Sequence, residues 1–397
     1  MHLYFLLCLL ITHLFIDTTA STLNPILKSL GSQYHTADVS MGLVAALLQA
    51  SGSFSQLLFG YVYDRFRAYW LMPLAVLVAG GCLGCVGLID SFGLLLVLII
   101  ATGLAVGAFH PGGAALTGNL ADKRRPLAIA IFVCAGSLGV AAAPVVISRL
   151  VAAHGLRATA WLFVPMMPIF VVALLAFGAY RKLAKTSIDA PPPTYGMWDG
   201  IFSRSLILLF LVATSRSFAI LVCTSGMSFL MSEKIADNSQ ALLSTGNALS
   251  LFGLAVGLGG LLSGFFLRPE TEKPGIIISL IVAGPLLMVF PLLCGGWLLA
   301  IIVLGGLAVS STIPLVTAIG QRLLPGSSSM ASSILMGVAW GVSGVAAPLA
   351  VTWLGPVIRY SLAMPLLIAG GLLVSFLATL FLPPVIRPTT SLGLARA

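Results

Sequence analysis

Stretches of roughly 20 residues without a charged side chain follow one another nearly a dozen times along this chain of 397 residues. About 20 apolar residues is the length of helix that crosses the hydrocarbon of a bilayer. With 59% of residues hydrophobic, 8% charged and a mean hydropathy of +1.10, a water-soluble core cannot absorb the apolar surface. The strands of a membrane barrel would alternate in polarity, and these runs do not. The formal charge of +9 would suggest a nucleic-acid partner in a soluble protein, but here the basic residues stand at the ends of apolar runs, where they set topology. The expected class is an all-α membrane protein whose partner is the lipid bilayer, with no nucleic acid.

Apolar runs read against turn signals give twelve transmembrane helices, at 3–30, 39–63, 68–90, 92–120, 126–152, 158–180, 204–232, 239–267, 274–294, 296–322, 328–354 and 358–382. Residues 1–180 form an N-terminal six-helix bundle and 204–384 a C-terminal one, joined by a Pro-containing polar linker at 181–203 and followed by a tail at 385–397. With both termini in the cytoplasm, fourteen Lys and Arg fall on the cytoplasmic side, including Lys123, Arg124 and Arg268, and five on the other. That asymmetry fits the positive-inside rule and orients the chain. The apolar start is expected to be a retained first span, because it lacks a basic leader and holds Asp17. All six cysteines lie in or at the ends of apolar segments, so no disulfide or metal site is expected, and Cys82 and Cys85 read as small packing residues.

The two bundles repeat. Gly136, Gly139 and Pro144 match Gly341, Gly344 and Pro348, with an offset of 205 at the glycines; Gly60 matches Gly264 at 204, and Pro111 matches Pro314 at 203. Six helices followed by six in the same orientation is the plan of a transporter that exposes a midplane substrate site to each side in turn.

Ionisable groups within spans cost on the order of 3 kcal/mol each, and so face protein or water and mark function. His13 and Asp17 are four residues apart, on one face of helix 1. They are the candidate proton-coupling residues, Asp17 exchanging a proton and His13 sharing or orienting it. Arg216, the one basic residue in the middle of a span, offers a fork of donors suited to carboxylate, phosphate or phosphonate. It is the expected counter-charge of Asp17 and the leading substrate-binding residue. His110, before a helix-bending Pro111, and Gln49 and Gln56 on an unusually polar helix 2 complete the candidate substrate site.

Gly60-Tyr61-Val62-Tyr63-Asp64-Arg65 resembles the Gly-x-x-x-Asp-Arg loop motif of the major facilitator superfamily, and Gly136-Ser137-Leu138-Gly139 with Pro144 is similar to the Gly/Pro motif of its antiporters. Within the superfamily, His13-x-x-x-Asp17, Phe109-His110-Pro111, Arg216-Ser217 and Leu323-Leu324-Pro325-Gly326 resemble the fosmidomycin-resistance-like efflux group. The resemblance implies the major facilitator fold in two six-helix pseudo-repeats, efflux with drug resistance as its consequence, and a monomer in a bacterial inner membrane. Asp64 and Arg65 fit a gate at the cytoplasmic edge, the acid capping the start of helix 11. Gly60, Gly136, Gly139, Pro144, Gly341 and Gly344 permit the close helix contacts that such a gate slides on or seals. Two departures stand out. Arg67 replaces a usual glycine of the loop motif, and Gly112-Gly113-Ala114-Ala115 stand where the group often has an acidic and a basic residue after His-Pro.

The expected function is secondary active transport: proton-driven export of a small anionic or amphiphilic compound by alternating access, with the direction resting on the resemblance. An importer, or a metal or metallophore transporter using His13 and Asp17 as ligands, keeps the same fold. A membrane acyltransferase using the same pair is the reading from another class, and it lacks a further polar constellation. No Gly-x-x-x-x-Gly-Lys-Ser/Thr loop is present to bind ATP. Neither a catalytic residue nor a cofactor is expected.

Overall fold

A computed structural model describes residues 2–66, 68–121, 125–184, 202–266, 271–324 and 331–383. Arg67, Lys123, Arg124, Arg268, Pro325, Gly326, the side chain of Asp64, most of the linker and the tail lie outside the described residues, as does the start of helix 11 that Asp64 is expected to cap.

Among the described residues there are twelve membrane helices. The first half holds α1 (His2–Ser21 and Leu23–Gln33), α2 (Asp38–Phe66), α3 (Leu71–Cys85), α4 (Phe92–Ala121), α5 (Arg125–His154) and α6 (Phe163–Ala184, entered by a 3-10 turn at Leu156–Leu162). The second holds α7 (Arg204–Lys234), α8 (Asn238–Phe266), α9 (Glu272–Val289), α10 (Gly295–Ser310 and Thr312–Leu323), α11 (π-helical over Ser333–Val338, then Ala339–Ile358) and α12 (Tyr360–Leu380). Eleven of the twelve are long and apolar enough to cross a membrane, and α3 is a shorter apolar helix.

Two runs that read as single helices are broken, and proline explains both. Pro25 leaves Ser21 without its usual backbone donor, and the chain turns at Thr22, whose hydroxyl donates to the Thr19 carbonyl at 2.7 Å. In α10 the break at Ser311 precedes Pro314, and the hydroxyls of Ser310, Ser311 and Thr312 donate to carbonyls of the preceding turn. These hydroxyls do inside the membrane what water does elsewhere.

The halves meet along two matched seams, α2 on α11 and α5 on α8. A Cβ at Gly42 would stand 1.9 Å from Thr352 Oγ1 and 2.8 Å from the Pro348 carbonyl; one at Gly246 would stand 2.5 Å from Ser148 Oγ and 2.6 Å from the Pro144 carbonyl. Each residue of one contact is separated from its counterpart by 204 positions, so the seams are copies of each other. Both glycines are needed because backbone approaches backbone.

The seams close one end of the molecule. There Asp38 takes Lys28 Nζ at 2.8 Å on one oxygen and the Tyr360 hydroxyl at 2.7 Å on the other, and Lys28 lies 5.7 Å from the Phe229 ring centroid. One apolar core runs through both halves at this end, from Leu23, Met41 and Ile147 to Phe229, Val351 and Tyr360. Toward the other end the first half has a core of its own, centred on Phe5, Phe15, Val76, Phe109 and Phe132, to which no residue of the second half contributes. Toward that other end the described contact between the halves is α2 against Ser333–Val338 of α11.

The tight turns repeat as well. Gly155 after α5 has φ 70°, and Arg359 after α11, again 204 positions on, has φ 76°. A side chain in this region costs on the order of 1–3 kcal/mol. Arg359 is 73% exposed and its Nε lies 3.5 Å from Glu233 Oε1, a contact that solvent reduces to little. Arg359→Gly is expected to raise the stability of the purified protein by about 1 kcal/mol, read as a higher thermal midpoint in detergent; a lower midpoint would show that the ion pair outweighs the backbone strain.

Candidate functional site

His13 and Asp17 lie one turn apart on α1, as their spacing predicts, with His13 Nε2 3.2 Å from Asp17 Oδ2. The other carboxylate oxygen, Oδ1, lies 3.1 Å from His110 Nε2 on α4. Asp17 is therefore held between two imidazoles. Each ring is fixed at its far nitrogen by a backbone carbonyl at 2.8 Å: His13 Nδ1 by Phe132 of α5, and His110 Nδ1 by Val106 of its own helix. The Phe132 ring stacks on His13 with centroids 3.9 Å apart, and the Phe109 ring lies beside both, tilted to His13 at 5.6 Å and 6.1 Å from Phe132. His13 is buried, while the side chains of Asp17 and His110 keep 17% and 27% exposure.

Room for this cluster comes from α5. A Cβ at Gly136 would stand 2.3 Å from Asp17 Oδ2 and 2.6 Å from the His13 ring, and one at Gly139 would stand 2.4 Å from the Leu14 carbonyl. The Gly-Ser-Leu-Gly stretch thus seats the charged face of α1. The opposite face of α5 carries Ser137, Val140 and Ala141, which lie against Gly257 and Gly253 of α8 in the other half. Gly341 and Gly344, the repeat partners, serve the other seam, where they lie against Ser53, Phe54 and Gln49 of α2.

His110 was expected at the substrate; the structure places it on Asp17. The departure after His-Pro explains why α4 carries no further charge: Gly112 lies under the Tyr63 ring, whose hydroxyl donates to the Ala108 carbonyl at 2.6 Å, and Gly113 lies under Phe132. Neither position has space for a long charged side chain. Sequence reading missed the trio because its members come from two helices, although Phe109-His110-Pro111 marked the place.

Arg216 and Asp17 do not pair. Both carboxylate oxygens are taken within the first half, and the segment of α1 carrying Asp17 packs on α3, α4, α5 and α6, whereas α1 packs on α7 through Leu23–Gln33. Arg216 is 1% exposed, and its Nη2 donates to Ser217 Oγ at 3.1 Å. Its Nε and Nη1 have no partner among the described residues. Neighbouring hydroxyls tie α7 to α11 and α12 instead, Ser343 donating to the Thr214 carbonyl at 2.6 Å and Ser375 to that of Val212 at 3.2 Å.

The remaining candidates are scattered. Gln49 lies with its carbon stem against Gly344 on the α2/α11 seam; Gln56 is half-buried further along α2; a Cβ at Gly60 would stand 4.0 Å from Pro111; Arg65 is exposed. Of all His, Cys, Asp and Glu among the described residues, only His13, Asp17 and His110 bring three potential ligand atoms within 4.8 Å. Each Nε2 already lies within 3.2 Å of a carboxylate oxygen.

Twelve membrane helices in two repeated bundles, joined at one face with an acid and a guanidinium buried in opposite halves, define a polytopic secondary transporter. The Major Facilitator Superfamily model matches residues 9–348, and the chain belongs to that family. The fosmidomycin resistance protein of Escherichia coli (strain K12) is 25% identical over 351 residues, 85% of this chain and 83% of that protein. Among solved structures, a bacterial homologue of the human lysosomal transporter Spinster, inward-facing and unoccupied, aligns with a TM-score of 0.72 at 15% identity over 96% of this chain and 94% of that one. A mutant of the nucleoside transporter NupG aligns with a TM-score of 0.75 at 14% identity, covering 95% and 99%.

The role of Gly136 is testable without a substrate. Gly136→Ala is expected to destabilise the protein by about 1–3 kcal/mol, the range for overpacking. In a His13→Ala background, where the ring it strikes is gone, the cost should shrink by at least about 0.5 kcal/mol. Strictly additive thermal shifts would detach Gly136 from the cluster.

Proposed function

We propose that this transporter couples proton influx to the export of a small anionic or amphiphilic compound by alternating access, working as a monomer in a bacterial inner membrane with both termini cytoplasmic. The observation that carries the proposal is Asp17 held between His13 and His110 within the spans, still partly accessible. A carboxylate shared with imidazoles is a group built to gain and lose protons. The second support is Arg216, a buried cation with free donors, which binding of an anion would satisfy. Gln49 and Gln56 add uncharged donors and acceptors on α2.

The bundles 1–180 and 204–384 rock about the seams, with 181–203 as their tether and 385–397 as a cytoplasmic tail. With the orientation set by Lys and Arg, the face joined by Lys28, Asp38 and Tyr360 is the outer one. Protonation reaches the seams through α5: a change in the charge of the trio shifts α1 against Gly136 and Gly139, and the far face of the same helix bears on α8. Pro144, Gly341 and Gly344 act at the seams, and Gly60, Asp64 and Arg65 at the cytoplasmic edge. Export agrees with the name of the fosmidomycin resistance relative.

Two measurements on protein reconstituted in vesicles test this, using a panel of small anions that includes fosmidomycin. Asp17→Asn is expected to abolish net flux driven by an imposed pH gradient while sparing one-for-one exchange of labelled against unlabelled compound, which needs no net proton movement. Unchanged gradient-driven flux would end the assignment, and accumulation with the opposite sign would make the protein an importer. Arg216→Met keeps the bulk and removes the donors; it is expected to raise KM at least about tenfold, from loss of a charge-assisted hydrogen bond of about 1.5–3 kcal/mol. An unaltered KM for every transported anion would remove Arg216 from the substrate site.

A further inference from the structure

The hydrogen-bond geometry of the trio fixes how many hydrogens it holds. The Phe132 and Val106 carbonyls that meet His13 Nδ1 and His110 Nδ1 at 2.8 Å can only accept, so each Nδ1 carries a hydrogen whatever the charge of its ring. A neutral ring of this tautomer has a lone pair at Nε2. Yet the Nε2 atoms lie 3.2 Å and 3.1 Å from the two oxygens of one carboxyl group. Without a hydrogen in between, each contact would set lone pair against lone pair. Both contacts therefore hold a hydrogen, the carboxyl can supply at most one of them, and at least one ring is an imidazolium.

We propose that His13, Asp17 and His110 form a store for two protons, loaded in the arrangement seen here. As a statement about transport this rests on the coupling reading above, and it then implies about two protons per cycle. The loaded trio carries a net charge of +1 and the emptied trio −1, with both rings then repelled by the carboxylate they now flank.

Other charges around the trio are few. On α1 itself stand Tyr4, Cys8 and, beyond Thr22, Lys28, which is paired with Asp38. The α5 face is Gly136 and Phe132, with Cys134 exposed; α3 brings Cys82 and Cys85; α6 brings no titratable side chain over residues 163–178. Arg216 makes no ion pair with Asp17. The proton count is thus a property of three side chains.

The test needs no transport substrate. Full-length protein in nanodiscs is titrated from about pH 10 to about pH 5, and the wild type is expected to take up about two protons more than the His13→Gln/Asp17→Asn/His110→Gln variant. A difference of one or none overturns the store. Histidine-15N NMR on the wild type, with signals assigned through His13→Gln and His110→Gln singly, is the second measurement and does not depend on the triple variant folding. Both rings are expected to carry hydrogen on Nδ1, and at least one of the two to become imidazolium as the store loads. A ring that is neutral with hydrogen on Nε2, or two rings that both stay neutral throughout, refutes the proposal. A protein that loads two protons but whose flux ignores the pH gradient would keep the store and lose the coupling reading.

Discussion

A carboxylate held between two imidazoles, each pinned from behind by a backbone carbonyl, fixes the arrangement of the first bundle. An ionisable group in a span costs on the order of 3 kcal/mol on its own, so three of them are tolerable only when they satisfy one another. Satisfying one another draws α1 and α4 together at His13, Asp17 and His110, and the Phe132 carbonyl binds α1 to α5 through His13. Gly136 follows from that geometry, since any side chain there would occupy the space of the carboxylate. So do Gly112 and Gly113, which let Tyr63 and the aromatic wall close over α4. Small residues and charged ones are therefore parts of one packing solution.

The repeat holds at the seams and turns and breaks in chemistry. Gly42 on Pro348 and Gly246 on Pro144 are the same contact made twice, and the left-handed turns at Gly155 and Arg359 are the same turn. Polar groups do not follow the repeat. The first half holds an acid with its own basic partners, the second a guanidinium with almost none. A duplicated backbone thus carries a different buried polar group in each half.

Much of this was legible in the chain itself. Span number, the six-plus-six plan and the glycine offsets follow from charge spacing and repetition, because a bilayer leaves a sequence few ways to be stable. The helix breaks at Thr22 and Ser311 were less visible, since each pairs a proline three residues on with hydroxyls that bond to carbonyls of the preceding turn. The Asp17 trio was half visible: four-residue spacing gave His13, but His110 comes from another helix, and no spacing rule links residues 17 and 110. Pairing Asp17 with Arg216 was wrong for a related reason. A lone acid and a lone base in one apolar chain invite pairing, and only the packing of α1 shows that the acid is already satisfied within its own bundle.

That separation bears on how the halves move. A salt bridge between Asp17 and Arg216 would join the bundles at mid-depth, and breaking it in each cycle would strand two buried charges at a cost of several kcal/mol. With the acid satisfied by histidines inside the first half, the bundles can part without separating fixed charges, the contacts between them including glycine seams and the Asp38–Tyr360 bond. Arg216 is left with donors that no fixed residue among those described answers. On the proposed reading the protons belong to the first bundle and the anion to the second, and what passes between them is the position of α5 rather than a charge pair.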